Sequence, residues 1–186
     1  MKYQVSSFIR KSIWVAIALF ALRCALSFKE IIAGTSMYGL WSFAGEAISV
    51  TMIIMIVYEK WLWKYDPFVK TPKLFNEYEG ILISSYDGVE RHAVISIKQT
   101  LLSVEVILKT DESKSKAISA SIENILGEYQ LTYSYLNTPV AGVRDRSAVH
   151  YGTAMLCVDN PKKIEGTYFT DRKTIGDMRF NAQQNS

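Results

Sequence analysis

The stretch YGLWSFAGEAISVTMIIMIVY, residues 38–58, decides the first part of the fold. It carries a single charged side chain, Glu46, in an otherwise largely apolar run. A helix needs about 20 predominantly apolar residues to cross about 30 Å of hydrocarbon. The stretch is therefore long enough to span a membrane as one helix.

A shorter apolar stretch, IWVAIALFALRCALSF at residues 13–28, comes before it. It reaches spanning length only if Lys11 or Ser12 lies at one interface and the chain through Ile32 contributes at the other. Tryptophan favours the headgroup layer, and all four tryptophans fall near the predicted helix ends, at Trp14, Trp41, Trp61 and Trp63. The two stretches predict a transmembrane helical hairpin, with a pair of buried core helices as the alternative.

Basic residues lie outside the two spans rather than between them. Lys2, Arg10 and Lys11 precede the first span, and Lys60, Lys64, Lys70 and Lys73 follow the second. The connector has only Lys29, next to Glu30. The positive-inside rule therefore places both termini in the cytoplasm. A cleaved signal peptide does not fit, because Arg23 interrupts the first apolar run and a second span follows it.

Two ionisable side chains, Arg23 and Glu46, lie inside the predicted spans. An unpaired charge there costs at least about 2.5 kcal/mol on insertion scales, so each needs a partner. They lie at comparable depths in an antiparallel hairpin. We expect them either to pair within one chain or to pair between subunits during transmembrane assembly, and the residues alone favour neither arrangement.

The composition changes after the second span, where Pro67 and Pro72 flank a short basic linker. Proline cannot continue a helix, so the second span must end before this point. The predicted organisation is a two-helix transmembrane region at residues 1–66, a linker at 67–73 and a cytoplasmic domain at 74–186.

Short alternating segments separated by turn residues fill the predicted cytoplasmic domain. Asp87-Gly88 is a strong hairpin signal, and no helix-length segment separates the strands. We therefore expect an antiparallel meander that closes into a small, lipocalin-like eight-stranded β-barrel, with a two-sheet sandwich as the alternative. The predicted strands are residues 80–86, 92–99, 101–110, 116–122, 128–136, 149–158, 163–171 and 174–180, with 111–114 as a solvated loop.

Two of these strands carry a face that mixes aromatic and polar side chains. Side chains alternate along a strand, so Leu131, Tyr133 and Tyr135 share one face of the fifth strand. The corresponding set on the seventh strand and the turn after it is Ile164, Gly166, Tyr168, Thr170 and Arg172. If these faces point inward, the barrel holds an amphiphilic pocket whose tyrosines stack on bases and whose arginine binds phosphate. Otherwise the tyrosines are ordinary barrel core.

The sequence lacks the common signatures of catalysis and of metal binding. It has no phosphate-binding loop and no Gly-x-Ser-x-Gly elbow, and its two histidines, His92 and His150, are too few for a zinc cluster. We expect no enzymatic activity, no metal and no cofactor. The net charge of +3, without a Lys/Arg stripe, also argues against DNA or RNA as a partner.

Several motifs resemble those of one protein family. They are Ile97-x-Gln99-Thr100, the Ser-rich segment 113–121, Tyr133-x-Tyr135-x-Asn137-x-Pro139, His150-x-Gly152-Thr153 and Gly166-x-Tyr168-Phe169-Thr170-x-Arg172-x-Thr174-x-Gly176-x-Met178. Together with the two N-terminal spans, they resemble the two-transmembrane β-barrel effectors of bacterial cyclic-oligonucleotide anti-phage systems (CBASS). The resemblance covers nearly the whole chain, and the C-terminal motif is its most specific part.

The resemblance implies a receptor in the bacterial inner membrane. A partner nucleotidyltransferase would make a cyclic dinucleotide, and the cytoplasmic barrel would bind it. The protein would then form a homo-oligomer that disrupts the membrane and kills the infected cell. Tyr78 departs from the pattern, which has a tryptophan at this position in many relatives. Strand faces and motif together assign a ligand-facing set of Tyr133, Tyr135, Asn137, Tyr168, Thr170, Arg172 and Thr174.

Two other functions are consistent with the residues. A membrane-anchored, lipocalin-like binder of an apolar molecule would have a barrel interior without charge. A non-enzymatic assembly subunit would have a contiguous apolar patch on the outside of the domain and no small-molecule site.

Overall fold

A computed structural model of the chain describes residues 2–34 and 37–183. The chain divides into two compact units, Met1–Asp66 and Pro67–Ser186. The first unit is helical, and the second is built mainly of β-strands. The residues of the predicted linker, 67–73, fall in the second unit.

The first unit is a hairpin of two long helices. Helix α1 is Lys2–Leu26, the short helix α2 is Phe28–Ile32, and helix α3 is Met37–Lys60, followed by a 3-10 turn at Leu62–Tyr65. Gln4–Leu26 and Tyr38–Lys60 are long and apolar enough to cross a membrane, with mean hydropathies of 1.6 and 1.8. The two predicted helices are confirmed, although α1 begins well before residue 13.

Lys11, within α1, makes polar contacts with two residues at the other end of the helical unit's sequence. The Lys11 ammonium donates to the Tyr58 hydroxyl at 2.7 Å and pairs with the Asp66 carboxylate. Tyr58 also donates to Asp66 at 2.5 Å. The charge of Lys11 is therefore compensated within the helical unit, by Tyr58 near the end of α3 and by Asp66 after the 3-10 turn.

Large apolar side chains remain exposed on both long helices. Trp14, Ile17, Trp41, Ile53 and Ile56 are each at least half exposed. Exposed apolar surface of this extent is unusual on a soluble protein. It suits a helical hairpin that is surrounded by lipid.

The second unit is a closed barrel of eight antiparallel strands, in which each strand pairs with the next and β8 pairs with β1. The predicted eight-stranded barrel is confirmed, and the sandwich alternative is excluded. The strands are β1 Glu77–Ser84, β2 Glu90–Gln99, β3 Val104–Thr110, β4 Ser113–Ile125, β5 Glu128–Pro139, β6 His150–Cys157, β7 Lys163–Thr170 and β8 Ile175–Ala182.

Six strand starts differ from the prediction by one to three residues, and only β5 and β7 start where expected. Hydrogen bonds in the turns explain the differences at β3 and β4. The Thr100 amide donates to the Ser103 carbonyl at 2.9 Å, so β3 starts at Val104 rather than at residue 101. The Thr110 hydroxyl accepts the Glu112 and Ser113 amides at 3.3 and 3.0 Å. The expected solvated loop therefore shrinks to a tight turn, and β4 begins at Ser113.

One end of the barrel is filled with buried side chains, and a cavity lies at the other end. The filled end contains fully buried aliphatic and aromatic residues: Tyr78, Ile95, Ile97, Leu131, Leu156, Ile164 and Phe180. Small barrels of eight strands have an interior just wide enough for side chains or one small ligand. The packed end therefore forms the floor of a cavity that opens at the opposite end.

Candidate ligand-binding site

A cavity of about 480 Å³ occupies the open end of the barrel. Each of the eight strands contributes at least one side chain to its wall. The floor is apolar, with Leu82, Leu108 and Met178, while the wall nearer the mouth carries hydroxyls, amides and charges. Pockets of about 300–1,000 Å³ with a few convergent polar groups are typical of small-molecule sites.

All seven residues of the predicted ligand-facing set lie on this cavity wall. Strand β5 supplies three of them, and strand β7 with the turn after it supplies the other four: Tyr133, Tyr135, Asn137, Tyr168, Thr170, Arg172 and Thr174. Tyr78, which departs from the pattern expected from the resemblance, is fully buried in the floor and does not line the cavity.

Two neighbouring tyrosines form the deepest aromatic part of the wall. The Tyr133 and Tyr135 ring centroids are 5.8 Å apart, with the ring planes tilted by 46°. Burial raises the pKa of both phenols well above their usual value. Both hydroxyls therefore stay protonated and keep one donor and two acceptor sites.

Two polar atoms of the wall are buried without a hydrogen-bond partner among the described residues. They are the Tyr133 hydroxyl and Oδ1 of Asn137. A buried polar group without a partner costs about 1–3 kcal/mol. Such atoms in a cavity wall indicate that a ligand or water supplies the missing hydrogen bonds.

His150 determines which way the Asn137 amide points. Its Nδ1 lies 3.0 Å from the Ala148 carbonyl oxygen, which only accepts, so Nδ1 carries the proton. Nε2 lies 3.4 Å from the Asn137 amide nitrogen, which donates to it when that ring nitrogen carries no proton. This arrangement leaves Oδ1 of Asn137 as an acceptor without a partner among the described residues.

Three arginines lie at the cavity mouth, on different loops and strands. Arg91 donates to Asp87 at 3.0 Å and lowers the pKa of that carboxyl to about 2. Arg146 pairs with Glu112 at 2.5 Å. Arg172 has no acidic partner in the described part of the chain and contacts only the Ser147 hydroxyl, at 3.4 Å. Arg172 is therefore the mouth arginine whose charge is least compensated.

Sequence reasoning missed Arg91, Arg146 and His150 as members of the cavity wall. Arg91 could have been found, because it shares the inward face of β2 with Ala93, Ile95 and Ile97. Arg146 lies in the loop between β5 and β6, where no periodicity indicates direction. His150 begins β6 and is buried beside Asn137, a contact that only strand register reveals.

The helical unit brings together the other two predicted residues, Arg23 and Glu46. The Arg23 Nε atom lies 2.9 Å from a Glu46 carboxylate oxygen, and its guanidinium lies 4.3 Å from the centre of the Phe43 ring. Arg23 also contacts the Ser27 hydroxyl. The structure thus shows the pair formed within one chain, and pairing between subunits during assembly stays a prediction.

Among residues 2–34 and 37–183, no group of three or more histidine, cysteine, aspartate or glutamate side chains could hold a metal ion. Cys24 and Cys157 are both free. The polar groups of the cavity are hydroxyls, an amide, an imidazole and three guanidinium groups, and the two carboxylates of the lining, Asp87 and Glu112, are each paired with one of the arginines. This set suits binding of an anionic, ring-bearing molecule.

Comparison with known proteins identifies the family of the domain that contains this cavity. The family model described as "Cap15, cyclic dinucleotide receptor domain" matches residues 69–182, a range that includes all eight strands and the whole cavity. The chain belongs to the Cap15 cyclic-dinucleotide receptor family. A Cap15 relative from Staphylococcus schleiferi, named CD-NTase-associated protein 15, is 32% identical over 138 residues, covering 72% of this chain and 75% of the relative.

Membership in the Cap15 family makes the chain a CBASS-associated receptor of cyclic dinucleotides, and the predicted resemblance is confirmed. The domain matched by the Cap15 model is the barrel, and the two candidate membrane helices precede it in the sequence. The cavity described above lies entirely within that domain.

Proposed function

We propose that the protein is a membrane effector gated by a cyclic dinucleotide. A partner nucleotidyltransferase supplies the ligand, the cavity binds it, and the bound chains form a homo-oligomer that disrupts the inner membrane and kills the infected cell. The observation that carries this proposal is the cavity itself, which combines tyrosines on its wall with arginines at its mouth. The protein acts without catalysis, metal or cofactor, and it does not bind DNA or RNA.

The arginines supply the phosphate-binding part of the proposal. A cyclic dinucleotide carries two phosphodiesters, and arginine binds phosphate oxygens through a planar fork of donors. Arg172 is available for this contact without first breaking an ion pair, whereas Arg91 and Arg146 are held by Asp87 and Glu112. We assign the first phosphate contact to Arg172 for that reason.

The tyrosines supply the base-binding part. Aromatic rings stack on nucleobases with little preference for their identity, at about 1–3 kcal/mol for each base. The free acceptor of Asn137 and the hydroxyl of Tyr133 lie on the same wall. A base edge with an N–H donor would satisfy the amide oxygen, so these two residues read the base while the rings hold it.

Gating requires that the ligand binds the assembled state better than the resting state. A shift from 1% to 99% assembled needs about 10⁴-fold tighter binding to the assembled state, or about 5.5 kcal/mol. Two phosphates and two bases offer enough contacts to provide this difference. The hairpin, with both termini in the cytoplasm, then presents the Arg23–Glu46 pair within the membrane, where it can change partners.

Isothermal titration of the full chain in detergent micelles tests the binding step. We expect at least one 3′,3′-cyclic dinucleotide of A, G, C and U to bind, while linear dinucleotides and palmitate do not. Arg172→Ala should weaken binding by about tenfold or more, because hydrogen bonds to charged groups contribute about 1.5–3 kcal/mol. Arg179→Ala, on the outer face of β8, is the matched control and should bind like the wild type.

The two alternatives predict different results in the same titration. An apolar-ligand binder would take palmitate, but the charged groups that line the mouth, including Arg91 and Arg172, argue against it. An assembly subunit would bind none of the small molecules. Equal affinities of the wild type and Arg172→Ala for a cyclic dinucleotide would contradict our assignment of the phosphate contact.

A further inference from the structure

Two cavity tyrosines each lie opposite a glycine on the next strand. In the barrel register Tyr135 of β5 pairs with Gly152 of β6, and Tyr168 of β7 pairs with Gly176 of β8. All four residues belong to the inward side of their strands. The same tyrosine–glycine arrangement therefore occurs twice, in two successive hairpins of the barrel.

In both pairs the tyrosine ring occupies the space that a side chain at the glycine would need. A Cβ atom placed on Gly152 would lie 2.4 Å from both Cζ and the hydroxyl oxygen of Tyr135. A Cβ on Gly176 would lie 2.5 Å from Cε1 of Tyr168. Real Cβ atoms do not approach other atoms this closely, so each ring lies across the neighbouring strand, against the backbone.

We propose that Gly152 and Gly176 are positioning residues that hold two tyrosine rings against the cavity wall so that each ring takes one base of the ligand. This inference rests on the proposed cyclic-dinucleotide function. A methyl group at either glycine would force the ring away from the wall and into the cavity. The ring would then fill the space where the base stacks.

The spacing of the two pairs suits a ligand with two flat groups. The two tyrosines lie on β5 and β7, so one pair is offset from the other by two of the eight strands, a quarter of the barrel circumference. Arg172 and Thr174 follow Tyr168 on the same side of the cavity and lie at the mouth. In a cyclic dinucleotide, a closed sugar-phosphate backbone carries two bases. Such a ligand could place its phosphates at the mouth and one base on each tyrosine.

Gly152 provides the cleaner test of the two glycines. The two nearest atoms to its added Cβ belong to the end of the Tyr135 side chain, and the nearest backbone atom, the Phe169 carbonyl oxygen, lies at 2.9 Å. At Gly176 the Ile83 carbonyl oxygen would lie at 2.3 Å, so a substitution there needs a larger backbone movement than the slight one needed at Gly152. Gly142 is the matched control, because no atom lies within 4 Å of its added Cβ.

The experiment is a double-mutant cycle on the full chain in micelles, with the cyclic dinucleotide that binds the wild type most tightly. We expect Gly152→Ala to weaken binding about tenfold, within the cost of losing one base stack. Tyr135→Ala should weaken binding to a similar degree, and Gly142→Ala should have no effect. In the Tyr135→Ala background, adding Gly152→Ala should change affinity less than about twofold, because the glycine acts through the ring.

Three results would overturn the inference. They are wild-type affinity in Gly152→Ala, an undiminished effect of Gly152→Ala in the Tyr135→Ala background, and failure of the double variant to fold. If Gly152→Ala alone does not fold while the double variant folds and binds like Tyr135→Ala, the steric pairing is supported. If the wild type binds no cyclic dinucleotide, the proposed function fails instead, and this inference fails with it.

Discussion

Tyr78 and Tyr133 are both buried in the barrel, but they differ in whether the hydroxyl has a hydrogen-bond partner. The Tyr78 hydroxyl donates to the Pro161 carbonyl at 2.8 Å and accepts the Phe75 amide at 3.0 Å. The Tyr133 hydroxyl has no partner among the described residues. The first hydroxyl therefore stabilises the floor of the barrel, whereas the second carries a desolvation cost in the ligand-free protein.

Phenylalanine substitutions at these two positions should have opposite effects on stability. Tyr78→Phe removes two part-buried hydrogen bonds, from the Phe75 amide and to the Pro161 carbonyl. At about 0.5–1.5 kcal/mol for each bond, we expect the free energy of unfolding to fall by about 1–3 kcal/mol. Tyr133→Phe removes an unpaired group and should leave stability unchanged or raise it. Thermal unfolding followed by circular dichroism of the β-sheet signal compares the two variants.

The same pair of variants separates structural from ligand-binding hydroxyls. We expect Tyr133→Phe to weaken cyclic-dinucleotide binding and Tyr78→Phe to leave affinity unchanged at a temperature where it is folded. A loss of stability in Tyr133→Phe equal to that in Tyr78→Phe would show that the Tyr133 hydroxyl has a partner inside the protein.

At the scale of the element, strands were predictable wherever alternation is regular. Leu131, Tyr133 and Tyr135 alternate with polar residues along β5, and all three are buried as expected. Strand ends were less predictable, because side chains such as Thr110 close turns that sequence alone suggests are loops. The two long apolar helices were predictable from length and composition, but the polar residues before residue 13 gave no sign that α1 begins at Lys2.

The candidate site was predictable only in part, because some of its residues lie outside the regularly alternating strands. Residues on β5 and β7 follow the strand period, so their common wall could be expected. Arg146 comes from a loop without a period, and its approach to Glu112 depends on barrel closure. The contact between His150 and Asn137 depends on strand register, which no local pattern specifies.

The charge pair between Arg23 and Glu46 joins the two long helices of the hairpin and can be tested by exchanging the charges. Arg23→Glu or Glu46→Arg leaves two like charges in the membrane, at a cost of at least about 2.5 kcal/mol for each unpaired charge. Each single variant should therefore insert poorly, as measured by extraction of the protein from membranes at alkaline pH. The double variant, Arg23→Glu with Glu46→Arg, restores opposite charges and should insert like the wild type.

Mixing the two single variants tests the second expected role of the same pair. If the charges pair between subunits on activation, neither single variant alone should disrupt membranes when ligand is added. A mixture of Arg23→Glu chains and Glu46→Arg chains should recover this activity. A double variant that inserts no better than the single variants would contradict the pairing of Arg23 with Glu46.

The whole molecule combines two units with separate tasks. The barrel has its own core, cavity and family match, while the hairpin has the length and composition of a membrane-spanning element. A ligand bound in the barrel affects the membrane only if it favours the assembled chains over the resting ones. The central claim is therefore that cyclic-dinucleotide binding and membrane disruption are coupled.

Dye release from liposomes that contain the full chain measures this coupling most directly. We predict release when a cyclic dinucleotide that binds the wild type is added, none without it, and none from the Arg172→Ala variant at the same ligand concentration. Release that is equal with and without ligand, or no release although titration shows the ligand bound, would contradict the account.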